Sequence, residues 1–298
     1  MVTGGNGGLG LETVRELARN GAHVVMAARD QEKARRAESD VLASHPGSSV
    51  EIVELDLAAL DSIRSAAASI AGHYPVDILV DNAGLMATDE DWTNDGFEMQ
   101  FGVNHLGHFA FTALLLPQIL RAPAARVVTV TSTGRHYGRQ LDPDNPHLAG
   151  KYTPWAAYGQ AKMANLQFAV GLNRQFEDAG VAARAFSAQP GFVDTDLQAR
   201  SVDASSGGAT QRFFHTVVSR YGMTPADGAR SILRAATDPN AKGGSLYGPR
   251  FLTHGPPIRL PLTGRGIGKR AIRNLWMVSE AETGIELDVT ETVSNLQG

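Results

Sequence analysis

Residues Met1–Ala28 read MVTGGNGGLGLETVRELARNGAHVVMAA, and this stretch decides the fold. It contains a strand stub at residues 1–2, a glycine-rich loop, an amphipathic helix over Leu11–Asn20, and a second apolar strand at His23–Ala28. This order of elements is a βαβ unit, in which the N-terminus of the helix points its free N–H groups at an anion. The stretch therefore predicts the start of a parallel sheet with a ligand site at its edge.

The loop TGGNGGLG, Thr3–Gly10, places Gly4, Gly8 and Gly10 in the spacing TGxxxGxG rather than GxGxxG. Glycines lack side chains, so the backbone can approach a pyrophosphate closely. An ordinary glycine-rich turn before a helix is the alternative interpretation, and the strand that follows the helix argues against it. The loop therefore predicts a dinucleotide-binding site.

Further strands are predicted along the chain from short runs rich in Val and Ile, each followed by a turn. They span Val50–Leu55, Val76–Val80, Ala125–Thr131 and Val181–Ala188. Helical patterns lie between them, which predicts an α/β fold: one Rossmann-type, doubly wound parallel sheet with helices on both faces. The 298 residues, 43% of them hydrophobic, suffice for a single domain over 1–298.

The pentapeptide YGQAK puts Tyr158 and Lys162 at positions i and i+4 of a predicted helix. A cation at roughly 5 Å favours the phenolate by about two pK units, which makes the phenol an effective proton donor and acceptor. An exposed pair on an amphipathic helix is the alternative. The glycine loop upstream favours a catalytic pair.

With these motifs together, the chain resembles the short-chain dehydrogenase/reductase family almost from end to end. The matching segments are the glycine loop, Asp56 and Leu57, the Asn82–Gly84 triplet, Asn104, Ser132, the Tyr158/Lys162 pair, and Pro190 and Gly191 followed by Thr195. VNHLGHF (Val103–Phe109), AARD (Ala27–Asp30) and KMANLQF (Lys162–Phe168) are most similar to the retinol-dehydrogenase-like and protochlorophyllide-reductase-like branch. Asp81 and Ala161 depart from the usual Asn and Ser, and the lack of cysteine argues against light-dependent protochlorophyllide reduction.

The resemblance implies an oxidoreductase that interconverts an alcohol and an aldehyde or ketone. The implied catalytic residues are Asn104, Ser132, Tyr158 and Lys162, with Tyr158 as general acid/base and Asn104 holding a water that relays the proton from Lys162. A buried Asn that caps a distorted helix is the competing account of Asn104. The implied cofactor-binding residues are Thr3, Gly4, Asn6, Gly8, Leu9, Gly10, Arg29, Asp56, Leu57, Asn82, Ala83, Gly84, Tyr158, Lys162, Pro190, Gly191, Val193 and Thr195.

The end of the second strand predicts which nicotinamide cofactor is used. Ala28 and Arg29 offer a guanidinium, which suits a 2′-phosphate, and no carboxylate at the strand tip. Asp30 follows directly and complicates this interpretation. NADP(H) is favoured over NAD(H).

Composition limits the other function classes. The net charge is −4, and the basic cluster Arg265, Lys269, Arg270 and Arg273 is interpreted as a solvated helix face, so no nucleic acid is expected as partner. No apolar run approaches the length of a membrane span and no signal peptide precedes the loop, which predicts a cytoplasmic protein. The histidines at 105, 108, 136 and 147 lack metal-ligand spacing, so no metal is expected.

The part of the chain that binds cofactor and carries catalysis is expected at 1–190, and the substrate lid and C-terminal part at 191–298. Apolar residues in Phe192–Met223 (Phe213, Phe214, Val217 and Val218) and in Leu252–Leu262 suggest an apolar small-molecule substrate, although core packing explains them as well. A catalytically weak nucleotide sensor or scaffold of the same fold is the alternative function.

In the resembling family the helices expected at Gly96–Leu116 and Ala156–Asp178 pair subunits, which implies a homodimer or homotetramer. Only two residues precede the glycine loop, fewer than a central strand normally has. The native protein is therefore expected to carry about ten more residues at its start.

Overall fold

The computed structural model describes residues 1–193, 222–262 and 267–297. Its centre is an eight-stranded sheet in the order β3-β2-β1-β4-β5-β6-β7-β8, parallel except for β8, which runs antiparallel to β7 at one edge. The strands are β1 (Val2–Thr3), β2 (His23–Ala28), β3 (Ser49–Glu54), β4 (Ile78–Asp81), β5 (Arg126–Val130), β6 (Arg184–Ala188), β7 (Leu246–Pro249) and β8 (Pro257–Leu260). The predicted doubly wound fold class is confirmed.

Helices cover both faces of this sheet. They are α1 (Gly8–Arg19), α2 (Gln31–Ser44), α3 (Leu60–Ile70), α4 (Met99–Phe101), α5 (Gly107–Leu114), α6 (Leu116–Arg121), α7 (Pro154–Asp178), α8 (Pro225–Thr237), α9 (Lys269–Thr283) and α10 (Val289–Gln297). A π-helical turn (Gly102–Leu106) joins α4 to α5, and a 3₁₀ helix (Thr133–Tyr137) follows β5. Within these described ranges, no helix has both the length and the apolar character needed to cross a bilayer.

The core has two layers because successive side chains of a buried strand point to opposite faces. In β2, Val24 and Met26 pack with α1, α2 and α8, whereas Val25 and Ala27 pack on the other face. That second layer is built around α3, α5 and α7 and extends to α9 and α10. Strands buried on both faces explain why the sequence signal was a run of apolar residues rather than an alternating pattern.

Two elements differ from the sequence predictions. The helix predicted over Gly96–Leu116 is interrupted, because the π-helical turn inserts a wider turn between α4 and α5. The helix axis passes close to the sheet edge there, since a Cβ at Gly107 would lie 2.6 Å from the Leu57 carbonyl oxygen. The apolar segment predicted over Leu252–Leu262 holds β8, whose pairing with β7 could not be seen as a local pattern.

Candidate active site

A cleft of about 400 Å³ opens at the carboxyl edge of the sheet. It lies where β1 and β4 are neighbours, the point at which the strand order reverses and doubly wound sheets bind their ligands. The cleft brings together most of the predicted cofactor-binding residues. It is lined by Thr3, Gly4, Asn6, Gly7, Gly8, Leu9, Ala27, Ala28, Arg29, Asp30, Lys33, Leu55, Asp56, Leu57, Asn82, Ala83, Gly84, Leu85, Met99 and Val103.

The glycine loop forms the floor of this cleft. Gly4 has a φ of 63°, a left-handed conformation that other residues rarely adopt. A Cβ at Gly10 would lie 2.2 Å from the Gly4 carbonyl oxygen, so Gly10 allows α1 to pack against the loop. The N-cap of α1 is Gly7, which makes no side-chain cap, and the first N–H groups of the helix are left for a ligand. This cradle fits a pyrophosphate group.

Thr3 ties the loop to the residues after β4. Its hydroxyl oxygen accepts hydrogen bonds from the backbone N–H groups of Asn82, at 2.9 Å, and Ala83, at 3.0 Å. The Asn82 side chain in turn donates to the Thr3 carbonyl oxygen at 2.9 Å. Two strand ends on either side of the cleft are therefore held in one hydrogen-bonded unit.

The hydrogen bond donated by the Thr3 hydroxyl determines which ring nitrogen of His108 carries the proton. The Thr3 hydroxyl donates to His108 Nε2, at 2.9 Å, in preference to the Val80 carbonyl oxygen at 3.4 Å. Nδ1 of His108 then carries the ring proton and donates to the Asn104 carbonyl oxygen at 3.0 Å. Burial lowers the pKa of His108 to about 4, so the ring is neutral at neutral pH. The sequence pattern predicts only that His108 is not a metal ligand and gives it no role in the site.

Asn104 lies in the π-helical turn and clamps the segment that follows β4. Its Oδ1 accepts from the Leu85 N–H at 2.7 Å, and its Nδ2 donates to the Leu85 carbonyl oxygen at 2.9 Å. A Cβ at Gly84 would lie 2.7 Å from Asn104 Oδ1, which explains the glycine. The side chain thus holds the segment after β4, and both the proton-relay role and the helix-capping role of Asn104 stay predictions.

Ser132 and Tyr158 meet where the 3₁₀ helix packs on α7. Ser132 caps the 3₁₀ helix, with its Oγ accepting from the Gly134 N–H at 3.0 Å. A Cβ at Gly134 would lie 2.5 Å from Tyr158 Cε1 and 3.4 Å from Ser132 Oγ. Both side chains therefore face the same small space, as the sequence predicted for a catalytic pair.

Lys162 reaches the same region from the next turn of α7. Its Nζ lies 5.9 Å from the centroid of the Tyr158 ring and donates to the Val130 carbonyl oxygen at 3.2 Å. A Cβ at Gly84 would come within 3.3 Å of this Nζ, which places the ammonium beside the cleft. Tyr158 and Lys162 therefore lie together beside Gly84, one of the residues that line the cleft.

The electrostatics of the pair differ from the sequence expectation that Lys162 lowers the pKa of Tyr158. Burial raises the pKa of Tyr158 to about 12, and hydrogen bonding by the Ser132 side chain offsets only part of that rise. Burial also lowers the pKa of Lys162 to about 8. The reason is that both groups have lost water, which penalises phenolate and ammonium alike.

The far end of the cleft carries two cations. The Arg29 guanidinium lies 3.8 Å from Asp56 Oδ2, and its side chain is 70% exposed. Asp30, the carboxylate that complicates the prediction of NADP(H), is the N-cap of α2 and accepts a hydrogen bond from the Lys33 N–H at 2.9 Å. Lys33, which the sequence motifs do not predict as a site residue, also lines the cleft. The available signal was its spacing of four residues from Arg29.

The remaining predicted residues lie elsewhere. Pro190, Gly191 and Val193 follow β6 and do not line the described cleft. A Cβ at Gly191 would lie 2.7 Å from the Thr253 carbonyl oxygen. Outside the described residues lie Thr195, most of the predicted lid with Phe213, Phe214, Val217 and Val218, and Arg265.

Histidines do not gather with acidic side chains in the part of the chain that the structure describes. No group of three His, Cys, Asp or Glu residues in it could hold a metal ion. His105 instead bonds Ser279 at 2.8 Å and His147 lies 3.1 Å from Glu282, both contacts to α9. These two rings serve packing of the C-terminal helices.

Comparison with known proteins gives consistent results. Residues 1–206 match the family model described as short chain dehydrogenase. Retinol dehydrogenase 14 from Mus musculus is 33% identical over 296 residues, which is 96% of this chain and 85% of that protein. The match to the family model includes the glycine loop, Ser132, Tyr158 and Lys162.

Two solved structures are also similar. A putative uncharacterized protein from Mycobacterium paratuberculosis is 39% identical with a TM-score of 0.78, over 96% of this chain and 92% of that chain. A putative short chain dehydrogenase from Escherichia coli CFT073, solved as a complex with NADPH, is 25% identical with a TM-score of 0.63. That match covers 83% of this chain and 94% of the other.

Proposed function

The chain belongs to the short-chain dehydrogenase/reductase family, in its retinol-dehydrogenase-like branch, and we propose that it is an NADP(H)-dependent enzyme that interconverts an apolar alcohol with its aldehyde or ketone. That it is an oxidoreductase of this family follows from the matches. The finer proposal rests on one observation: the Tyr158 ring and the Ser132 hydroxyl face one space, with Lys162 one turn along α7.

Tyr158 is the proton donor and acceptor in this proposal. With its pKa raised to about 12, the phenol is protonated at neutral pH and can donate to the oxygen of a carbonyl substrate. Ser132 holds that oxygen beside the phenol by a hydrogen bond. Alcohol oxidation needs the phenolate, so its rate is expected to rise with pH over the neutral to alkaline range.

The cleft supports a dinucleotide. The glycine cradle and the free N-terminus of α1 suit a pyrophosphate, and Lys162 beside Gly84 suits ribose hydroxyls. The bound nicotinamide supplies the hydride-transfer chemistry. Two cations that line the cleft, Arg29 and Lys33, suit a 2′-phosphate and so support a preference for NADP(H), as does the similar protein solved with NADPH.

The mouth of the site supports an apolar substrate. Trp155 contacts Tyr158 edge to face, with ring centroids 5.9 Å apart, and Tyr137 lies 5.7 Å from Trp155. Aromatic side chains so close to the proton donor favour a ligand with apolar bulk. Retinol, the substrate in the name of the mouse relative, has this character.

A turnover screen tests the proposal. The purified protein is assayed for NADPH oxidation with apolar aldehydes and ketones, and for NADP⁺ reduction with the matching alcohols. NADH and NAD⁺ run in parallel. Turnover with NADPH is expected to exceed that with NADH. Tight NADPH binding without turnover of any carbonyl would instead favour the nucleotide sensor or scaffold of the same fold.

A further inference from the structure

The segment between Asp238 and Glu280 has an unusual charge. Lys and Arg occur seven times in it and Asp and Glu not at all, although the chain as a whole has a net charge of −4. Six of these cations are exposed in the described residues, Lys242 among them, and the five that follow β7 are Arg250, Arg259, Lys269, Arg270 and Arg273. The described part of the chain shows no ion pair for any of the five, whereas Arg230 and Arg234 on neighbouring α8 are paired with Asp227 and Asp238.

The same segment carries an exposed apolar tip. Between β7 and β8 the chain turns at Phe251 and Leu252, whose side chains are 59% and 52% exposed. Leu252 has a φ of 64°, a left-handed conformation that disfavours a branched side chain. Packing among the described residues does not explain a large apolar residue held outward in such a conformation.

The tip is nevertheless well formed. Its backbone is hydrogen bonded from Arg250 N to Pro256 O, at 3.0 Å, and from Leu252 N to Pro249 O, at 2.9 Å. Gly255 leaves room for the Phe251 ring, since a Cβ there would lie 3.1 Å from its Cδ2. The exposed side chains therefore sit on a fixed turn.

Two cations lie on the chain directly before and after this tip, and others follow further along the sequence. The Arg250 guanidinium lies 6.0 Å from the centroid of the Phe251 ring, and Arg259 is exposed on β8. Ile258 of β8 and Ile267, just before α9, pack on the same small cluster of Leu166, Leu246 and Leu260. The first turn of α9, with Lys269 and Arg270, therefore begins beside β8.

We propose that the β7–β8 tip and the surrounding cations form a docking surface for an anionic lipid bilayer, with Phe251 and Leu252 entering the interface and the cations contacting lipid phosphates. Apolar side chains flanked by unpaired cations match the two layers of such a surface, acyl chains below and negative headgroups above. A soluble acidic partner would match the cations but would not explain the exposed, conformationally disfavoured Leu252.

The surface lies next to the candidate active site. Gln189, the last residue before Pro190, accepts from Arg135 Nη1 at 2.5 Å and donates to the Leu252 carbonyl oxygen at 3.3 Å. Arg135 in turn donates to the Ser132 carbonyl oxygen at 2.8 Å. Docking would thus bring the site close to a membrane that dissolves apolar alcohols. This consequence rests on the proposed function, whereas the docking itself does not.

Vesicle co-sedimentation of the full chain tests the docking. The vesicles are phosphatidylcholine alone, or equal parts of phosphatidylcholine and phosphatidylglycerol. Binding is expected to the anionic vesicles, weakening as salt is raised. The Arg250→Gln/Arg259→Gln variant is expected to lose about fivefold in partitioning for each arginine, equivalent to about 1 kcal/mol per cation. Arg35→Gln/Arg64→Gln, which removes two exposed arginines elsewhere, is the matched control.

The apolar tip is tested with Phe251→Ser/Leu252→Asn, in which asparagine suits the left-handed conformation. A loss of about tenfold or more in partitioning is expected, against no change for Leu42→Ser/Leu296→Ser on exposed positions of α2 and α10. Thermal melts confirm that each variant is folded. The docking proposal is overturned if the parent ignores anionic vesicles, or if folded tip variants bind as the parent does. It is equally overturned if light scattering shows that the tip joins two copies of the chain.

Discussion

Two buried side chains and one backbone carbonyl link the two ends of the candidate site. Thr3 of the glycine loop, His108 of α5 and the Asn104 carbonyl of the π-helical turn form one hydrogen-bonded chain. Because His108 is neutral with its proton on Nδ1, the chain has a single direction from the Thr3 hydroxyl to Asn104. The residues that cradle pyrophosphate and those beside Tyr158 are therefore positioned together rather than independently.

Tyr158→Phe should remove most turnover and leave NADPH binding intact. Only the hydroxyl that exchanges the proton is lost, and the loss of a positioned acid/base costs roughly 100-fold or more. NADPH fluorescence titration beside a rate assay measures both quantities. Tyr137→Phe, at a more exposed tyrosine of the same region, is the control and should turn over as the parent does. If Tyr158→Phe stays within about threefold of the parent, another group supplies the proton.

Arg29→Ala should weaken NADPH by about 1–3 kcal/mol and NADH much less, because the guanidinium would form a charge-assisted contact only with the 2′-phosphate. Dissociation constants for both nucleotides decide this. Arg36→Ala, an exposed arginine on the outer part of α2, controls for the general change in charge. An equal loss for the two nucleotides would show that Arg29 does not read the 2′-phosphate.

Asp81→Asn should make stability less dependent on pH. Burial raises the pKa of Asp81 to about 8, although Thr112 and Thr129 donate to its Oδ2. Between about pH 4 and pH 8 the unfolded chain releases a proton that the folded chain keeps, so the free energy of unfolding falls as pH rises. Asparagine has no such proton.

The free energy of unfolding of Asp81→Asn is therefore expected to exceed that of the parent by little near pH 4 and by on the order of a few kcal/mol near pH 8. Urea unfolding at a series of pH values measures it. Asp144→Asn, at an exposed carboxylate, should give no such trend. A difference between Asp81→Asn and the parent that is constant with pH would mean that Asp81 is ionised in the folded protein across the whole range.

The 3₁₀ helix and α7 are in close backbone contact beside Tyr158. The 3₁₀ helix that carries the residues after Ser132 lies directly on α7, and a Cβ at Gly159 would fall 2.1 Å from the Gly138 backbone nitrogen. A Cβ at Gly138 would likewise fall 2.2 Å from the Gly159 carbonyl carbon. Glycine on both sides is what allows Ser132 to reach Tyr158.

Gly159→Ala should consequently reduce turnover far more than NADPH binding. Alanine normally stabilises a helix interior relative to glycine by about 1 kcal/mol, but here its methyl group must push the 3₁₀ helix off α7 and move Ser132 away from Tyr158. Rates, NADPH titration and melting temperature are compared. Gly150→Asn, in the loop between the two elements, is the control, because no atom lies near its Cβ position and asparagine tolerates its left-handed φ of 69°. Full turnover by Gly159→Ala would show that the spacing of these elements does not matter for catalysis.

The C-terminal helices α9 and α10 pack against α7. Trp276 of α9 stacks on Phe168 and fills the space above Gly171, where a Cβ would lie 2.4 Å from its ring. His105 bonds Ser279 of α9, and the Val289 N–H at the start of α10 donates to Gln175 of α7. Much of the surface through which subunits were expected to pair is therefore covered by the chain's own α9 and α10.

We expect this packing to keep the chain monomeric, because pairing through α7 would require apolar contacts of α9 and α10 to be given up. Light scattering with size-exclusion chromatography measures the mass in solution. Trp276→Ala removes a side chain that covers α7, so it should lower the melting temperature. Any shift of this variant toward a larger mass in solution is compared with the parent. A dimer or tetramer of the parent chain would contradict this prediction and agree with the oligomer that the family resemblance implies.

The sequence by itself determined the fold class and predicted the central site residues. Glycine spacing, the alternation of short apolar runs with helical patterns, and the four-residue spacing of Tyr158 and Lys162 are all local features. Each reflects backbone geometry that neighbouring residues impose on one another. The same local rules predicted α7 over Ala156–Asp178, within two residues of its observed start at Pro154.

Only the tertiary structure decided how these residues behave. The chain from Thr3 through His108 to Asn104 joins positions about a hundred residues apart, and the cover of α7 by α9 and α10 joins the middle of the chain to its end. The pKa of Tyr158 rises rather than falls because burial, which depends on every element packed around the phenol, outweighs its one cationic neighbour. Contacts and solvent exclusion of this kind are set by packing between distant segments, and no local pattern in the sequence encodes them.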